Sequence, residues 1–253
     1  MNATAPWEQD EPILSEQSGI RYLHFGTEWI QGAMRMRKPD DLVLAYTKQM
    51  MAWLLFRTPT PDDTAGILGL GAGALLRFAL KHTAAKIETV EWNPAVTAIC
   101  RMWFRLPEQA RSTIIHADAG DWVQQPANAA RCTALMVDLY DRQAQGPVRD
   151  SLAFYQGCQQ TLMPGGVLSV NLFGAHASFE HNMDNLREAF ANRVLMLPEV
   201  DEGNRIVLGF KSTAKTGWPE MDAERLLARA QALEVSTRLP FLRWARHLLA
   251  QRG

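Results

Sequence analysis

The segment Ile67-Leu68-Gly69-Leu70-Gly71-Ala72-Gly73 constrains the fold more than any other stretch of the 253-residue chain. A short apolar run leads into it, a helical pattern follows, and a second apolar run ends on Glu91. The order is strand, glycine turn, helix, strand, carboxylate. In that layout Gly69 permits a sharp turn, Gly71 lets the backbone approach a ligand, and Gly73 lets the helix sit close to the sheet. An acid ending the second strand accepts hydrogen bonds from the two hydroxyls of a ribose. The segment therefore points to an adenosine-containing cofactor and leaves open which one. A GxGxG run also arises from turn demand alone, so its weight comes from the elements around it.

Residues 1–18 are expected to form a flexible tail, 19–60 a small N-terminal β-strand and helix element, and 61–253 an adenosyl-cofactor-binding α/β domain. In the small element, alternation predicts strands at 20–25 and 29–36 around Gly26-Thr27, a β-hairpin, and then a helix over 42–56. In the main domain, strands are expected at 65–70, 86–91, 112–116, 133–138, 167–172, 193–197 and 204–210. Helices fall between them at 74–82, 94–104, 121–125, 151–162 and 179–190, with two more at 220–233 and 240–251. Regular alternation argues an α/β fold, a parallel sheet with helices on both faces. The last two strands lie close together, so they should pair antiparallel. That ending fits a methyltransferase-like Rossmann sheet, not a nicotinamide-binding double fold.

Charge excludes some partners. The formal net charge is -1, from 26 basic and 27 acidic side chains, which makes no electrostatic case for nucleic acid. The cluster Arg35, Arg37 and Lys38 is too short to change that. Cys100, Cys132 and Cys158 are far apart and sit in apolar or helical contexts, as small buried hydrophobes do. No CxxC or HExxH spacing is present, so no metal is expected. No run approaches 18 apolar residues, so no membrane span is expected and the cytoplasm is the default compartment.

Ligands of open α/β sheets gather at the carboxyl ends of the strands. Four acids fall there: Glu91, Asp118, Asp138 and Asp141. Glu91 would take the ribose, and Asp118, with the backbone of Ala119, the adenine side. Both positions also suit capping of the next helix. Val137-Asp138-Leu139-Tyr140-Asp141 leaves a buried strand with two carboxylates on one loop. Two acids at a cleft hold a cation and accept its proton, the service a primary amine needs before it can act as a nucleophile. Tyr140 would supply a ring beside an aliphatic chain or a hydroxyl hydrogen bond. The competing interpretation is a polar loop exit, one acid capping a helix or pairing with Arg142. The long connection at 143–149, with Gly146-Pro147, is expected to cover the acceptor pocket.

The ordered set Gly69-Leu70-Gly71-Ala72-Gly73, Val90-Glu91-Trp92-Asn93-Pro94, His116-Ala117-Asp118-Ala119, Val137-Asp138-Leu139-Tyr140-Asp141, Phe154-Tyr155 and Leu162-Met163-Pro164-Gly165-Gly166-Val167 resembles the spermidine synthase family over about residues 20–210. The resemblance implies transfer of an aminopropyl group from decarboxylated S-adenosylmethionine to a small-molecule amine, with release of methylthioadenosine. It implies Asp141 as proton acceptor, Asp138 at the donor's aminopropyl amine, Glu91 at ribose, Asp118 at adenine, and a homodimer built through the N-terminal strands. The chain departs from the family in two places. The Asp-Glu pair and Tyr-His-Glu run ahead of the glycine loop are replaced by 38–47, where the acids are shifted, and Arg142 stands where proline is usual. An arginine beside a diamine pocket repels a cation, so the acceptor stays open. Two alternatives stay open with it: an S-adenosylmethionine-dependent methyltransferase on the same scaffold, and a non-catalytic protein that binds adenosyl ligands.

Overall fold

The computed structural model describes residues 11–140, 149–213 and 222–251. The tail expected over 1–18 ends earlier than predicted, because Ile13–Gln17 is strand β1. Ser18 (φ 52°) and Gly19 (φ 76°) form the two-residue turn, both in the left-handed region that matches the twist of a tight hairpin. That turn pairs β1 with β2 (Ile20–His24), which in turn pairs with β3 (Gly32–Arg35), all antiparallel. The expected hairpin is thus the second half of a three-stranded sheet. The helix expected over 42–56 is split. Helix α1 (Ala45–Met50) passes into a 3-10 turn at Met51–Leu55, whose five residues are all buried.

The main sheet has seven strands: β4 (Thr64–Leu68), β5 (Lys86–Glu91), β6 (Ser112–His116), β7 (Cys132–Val137), β8 (Leu162–Phe173), β9 (Val194–Met196) and β10 (Asn204–Phe210). Their order is β6-β5-β4-β7-β8-β10-β9. The first five pair parallel, and β10 runs antiparallel to both β8 and β9. The close spacing of the last two strands therefore predicted their pairing correctly. Strand β8 begins five residues earlier than expected. The Pro164-Gly165-Gly166 run does follow a helix, but it lies in an irregularity of the β7–β8 register and not in a connecting loop.

Helices α2 (Ala74–His82), α3 (Pro94–Trp103), α4 (Ala119–Gln124), α5 (Leu152–Thr161) and α6 (Phe179–Ala189) alternate with the strands. Helices α7 (Ala223–Thr237) and α8 (Phe241–Ala250) follow β10. Successive strand residues feed opposite faces, as the two-residue period requires. Ile67, Met136 and Leu208 enter one core with Trp53, Phe78 and Trp244, while Leu68, Leu135 and Val207 enter the other with Trp122, Phe154 and Phe190. Both faces are covered, and the open crevice lies at the carboxyl ends of β4 and its neighbours β5 and β7, where the connections diverge.

Candidate active site

The crevice is organised by the loop after β4. Gly69 (φ 93°) could not carry a side chain, since an added Cβ would lie 2.2 Å from the Asp138 carbonyl oxygen. The loop is bound on both sides: Gly69 N–H donates to Val90 (2.9 Å), and Asp138 N–H to the Leu68 carbonyl (2.9 Å). At Gly71 (φ 49°) the neighbour is the Gln31 carbonyl, 3.0 Å from a built Cβ, so the close approach there is to the small sheet. Gly73 (φ 71°) opens α2, and a Cβ there would meet the side chains of Arg77 and Leu106, not the sheet backbone expected from the motif.

Arg77 was not anticipated. It is fully buried behind the loop and donates to the carbonyls of Ala72 (2.7 Å), Phe104 (2.8 Å) and Pro39 (2.7 Å). Burial lowers its pKa to about 10. It is a structural tie joining loop, α3 and the segment ahead of α1.

Glu91 ends β5 and is buried. Its two oxygens accept from the backbone N–H of Leu70 (3.0 Å) and Asn93 (2.8 Å). Burial pushes its pKa up, and the backbone donors oppose that. Asn93 caps α3 by accepting from Ala95 N–H (2.9 Å), with Pro94 at the first helical position. Asp118 follows β6 and does what the capping alternative foresaw. Its Oδ1 accepts from Gly120 (2.8 Å) and Asp121 (3.1 Å) at the start of α4, and Oδ2 accepts from Arg149. Partial burial would raise its pKa, but Arg149 and the two N–H groups outweigh it and hold the carboxyl below the ordinary range. Ala119, beside it, is buried.

Asp138 leaves β7 half-buried. Its Oδ1 accepts from Asn171 Nδ2 on β8 (3.0 Å), and its Oδ2 from the Tyr46 hydroxyl on α1 (3.3 Å). Burial raises its pKa to about 6 despite both donors. Tyr46 is in turn fixed by its backbone N–H, which donates to Asp201 Oδ2 (2.8 Å). Tyr140 turns its hydroxyl to Asn204 Oδ1 (3.4 Å), on β10. Asp141, Arg142 and positions 143–148 of the expected covering loop lie outside the described residues.

The structure thus gathers Gly69, Gly71, Glu91 and Asp138 around one loop, with Asp118 two residues beyond the neighbouring strand. Tyr46, Asn171 and Asp201 were missed by sequence reasoning. Tyr46 stands in the 38–47 stretch that replaces the family's Tyr-His-Glu run, and that placement is the available signal. A narrow cleft opens beside the loop, and Gln31, Tyr46, Thr47, Leu70, Gly71 and Asp138 are among its lining. Asp138 is the charged side chain on that lining; no lysine or arginine joins it among the described residues. No group of three or more His, Cys, Asp or Glu among the described residues is placed to hold a metal. The three cysteines are free and buried. No helix among the described residues is long and apolar enough to cross a membrane.

A seven-stranded sheet with an antiparallel end, and an acid and a glycine loop at its switch point, define a methyltransferase-like transferase scaffold. Solved structures share that fold. A probable spermidine synthase from Corynebacterium glutamicum aligns over 87% of this chain and 83% of its own, with TM-score 0.70 and 18% identity. Human methyltransferase-like protein 13, in complex with SAH, covers 78% of this chain and 93% of its own (TM-score 0.64, 24% identity). A spermidine synthase in complex with the transition-state analogue AdoDATO covers 79% and 73% (TM-score 0.53, 19% identity). No family model matches the chain. Two curated relatives are closer in sequence. The polyamine aminopropyltransferase of Chromobacterium violaceum is 34% identical over 229 residues, 88% of this chain and 84% of the relative. That of Neisseria meningitidis serogroup A is 32% identical over 235 residues, 91% and 86%. The chain belongs to the polyamine aminopropyltransferase family and is an enzyme of the aminopropyl-transfer class.

Proposed function

We propose that the donor is decarboxylated S-adenosylmethionine and that the acceptor is a small primary amine. The observation that carries this reading is the cleft lining beside the glycine loop, where Asp138 supplies a carboxylate and no described residue supplies a cation. A donor ending in an ammonium is attracted there, and one that keeps its carboxylate is repelled. Arg77 does not alter that, because its bonds go to three carbonyls behind the loop. In this reading Glu91 takes the ribose, Asp118 and the Ala119 backbone face the adenine, and Gly69, Gly71 and Gly73 shape the loop between them.

The amine nitrogen attacks the carbon next to the sulfonium, and the C–S bond breaks with its electrons returning to sulfur. Methylthioadenosine leaves as a neutral thioether, so no acid is needed. The attacking nitrogen must lose a proton, before attack as an ammonium or after it as the product cation. In this reading Asp138 is a candidate acceptor of that proton: it lines the cleft, and burial raises its pKa to about 6, which suits a base that works near neutral pH. Sequence resemblance gave that task to Asp141, and the two remain paired candidates, with Tyr140 beside them. A cytoplasmic location and a homodimer through the small sheet complete the proposal. Exposed Ile13, Trp29 and Ile30 on and beside that sheet support the dimer.

Incubating the protein with either donor and putrescine, cadaverine, agmatine or spermidine tests the reading. Methylthioadenosine should form with the decarboxylated donor and at least one amine. S-adenosylhomocysteine from the carboxylated donor would instead favour the methyltransferase, and no product with any amine would sink polyamine transfer.

A further inference from the structure

We infer that Asn171 is a positioning residue for the transfer reaction, its amide holding the ionised carboxylate of Asp138 in place from the adjacent strand. The inference rests on the proposal that Asp138 acts on the amine. The sheet itself creates the contact. Val137 pairs with Val170 in parallel register, so the next residues, Asp138 and Asn171, stand side by side at the strand ends. Asn171 is 1% exposed, its strand neighbours Val170 and Leu172 are buried, and its antiparallel partner Ile206 is buried as well. An apolar side chain would suit that environment. Instead, the amide nitrogen donates to Asp138 Oδ1 (3.0 Å), and the amide oxygen is buried without a hydrogen-bond partner.

A buried acceptor left unpaired destabilises the fold, so packing does not explain an asparagine here. Its bond to Asp138 does. An amide donor keeps its proton at every pH, so it favours the ionised carboxylate without titrating itself. Tyr46 holds the other oxygen, which fixes the plane of the carboxylate and leaves its remaining lone pairs for an amine. The titratable groups facing Asp138 among the described residues are Tyr46 on α1 and Tyr140 just beyond β7, with Asp201 ahead of β10 on the far side of Tyr46. Burial pushes both tyrosines up, so they stay neutral donors across the working range.

The test is a carboxyl-carbon NMR titration of Asp138 in the full chain, with its signal assigned by loss in Asp138→Asn, alongside the pH profile of kcat/KM. In Asn171→Leu, the Asp138 midpoint and the acid limb of the profile should both move up by about one unit. By linkage, the melting temperature of this variant should fall relative to wild type at pH 8, where Asp138 is ionised, and be unchanged or higher at pH 4, where Asp138 is protonated and the orphan oxygen is gone. A merely structural asparagine would instead shift the melting temperature equally at both pH values and leave the Asp138 midpoint where it was, and that result overturns the inference. Should the leucine variant fail to fold, Asn171→Ala removes the same donor and is read by the same midpoint. The NMR arm needs neither donor nor acceptor. An inactive wild-type protein would therefore defeat the transfer proposal, while the midpoint still decides whether Asn171 tunes Asp138.

Discussion

On the proposed adenosine side of the site, Glu91 and Asp118 are held largely by backbone N–H groups, most of them two or three residues away. On the proposed transfer side, Asp138 is held by two side chains, one 92 residues earlier and one 33 residues later. Backbone donors come with the turn that presents the acid, so the adenosine side is set by local chain geometry. The transfer side is set by how α1 and β8 pack around β7, which lets the environment of a single carboxylate be tuned. The consequence is a divergence between two acids of one sheet: Asp118 lies below the ordinary carboxylate range, and Asp138 is raised to about 6.

The largest effect should come from removing the proposed proton acceptor. Asp138→Asn keeps the shape of the side chain and should lower turnover at saturating substrates by about 10²–10⁴-fold. If Asp141→Asn gives the larger fall under the same conditions, the proton goes to Asp141, and Asp138 serves only the donor's ammonium.

Stability against pH sharpens the contrast next. The folded pKa of Asp138 lies above the ordinary unfolded value of about 3.9, so its contribution is fully present below that value and lost as pH rises through about 6. At pH 8 its ionisation should cost up to about 2–3 kcal/mol. Asp138→Asn should therefore be more stable than wild type at pH 8 in urea unfolding, and the gain should vanish near pH 4. Asp118 carries the opposite sign. Its lowered pKa makes its contribution present above the unfolded value and lost in acid, so Asp118→Ala should cost about 1 kcal/mol at neutral pH. Equal signs for the two variants would break the comparison.

The smallest effect concerns Asp201, which caps α1 from a distant loop and fixes Tyr46. Asp201→Ala should lower stability by about 0.5–1 kcal/mol in urea unfolding, with Asp201→Asn largely restoring it. A fall of several kcal/mol would mean that α1 is anchored chiefly by this bond.

The same contrast explains what the sequence disclosed. The glycine loop, Glu91 and the capping alternative for Asp118 are legible because strand, turn and cap are local patterns. The antiparallel end of the sheet is legible because a short connection leaves β9 and β10 little choice but to pair. Strand β1 was missed because its polar, exposed residues lack the apolar alternation by which strands are read, although Ser18-Gly19 marked its turn. Tyr46 and Asn171 were not legible as a pair around Asp138, because nothing local in the chain records that α1 and β8 flank β7 at that level. Arg77 was hidden for a similar reason: an arginine in an apolar helix looks like a solvated side chain until its carbonyl partners from two other segments are in place.

The division of labour itself is tested most directly by calorimetry with methylthioadenosine, which carries the adenosine and the sulfur but no aminopropyl chain. Glu91→Ala removes the proposed acceptor for the ribose hydroxyls, worth roughly 1.5–3 kcal/mol as a charge-assisted pair, and should weaken binding by about 10–100-fold. Asp138→Asn should bind methylthioadenosine within about threefold of wild type while its turnover collapses. Equal losses of affinity in the two variants, with turnover surviving in Asp138→Asn, would contradict the account.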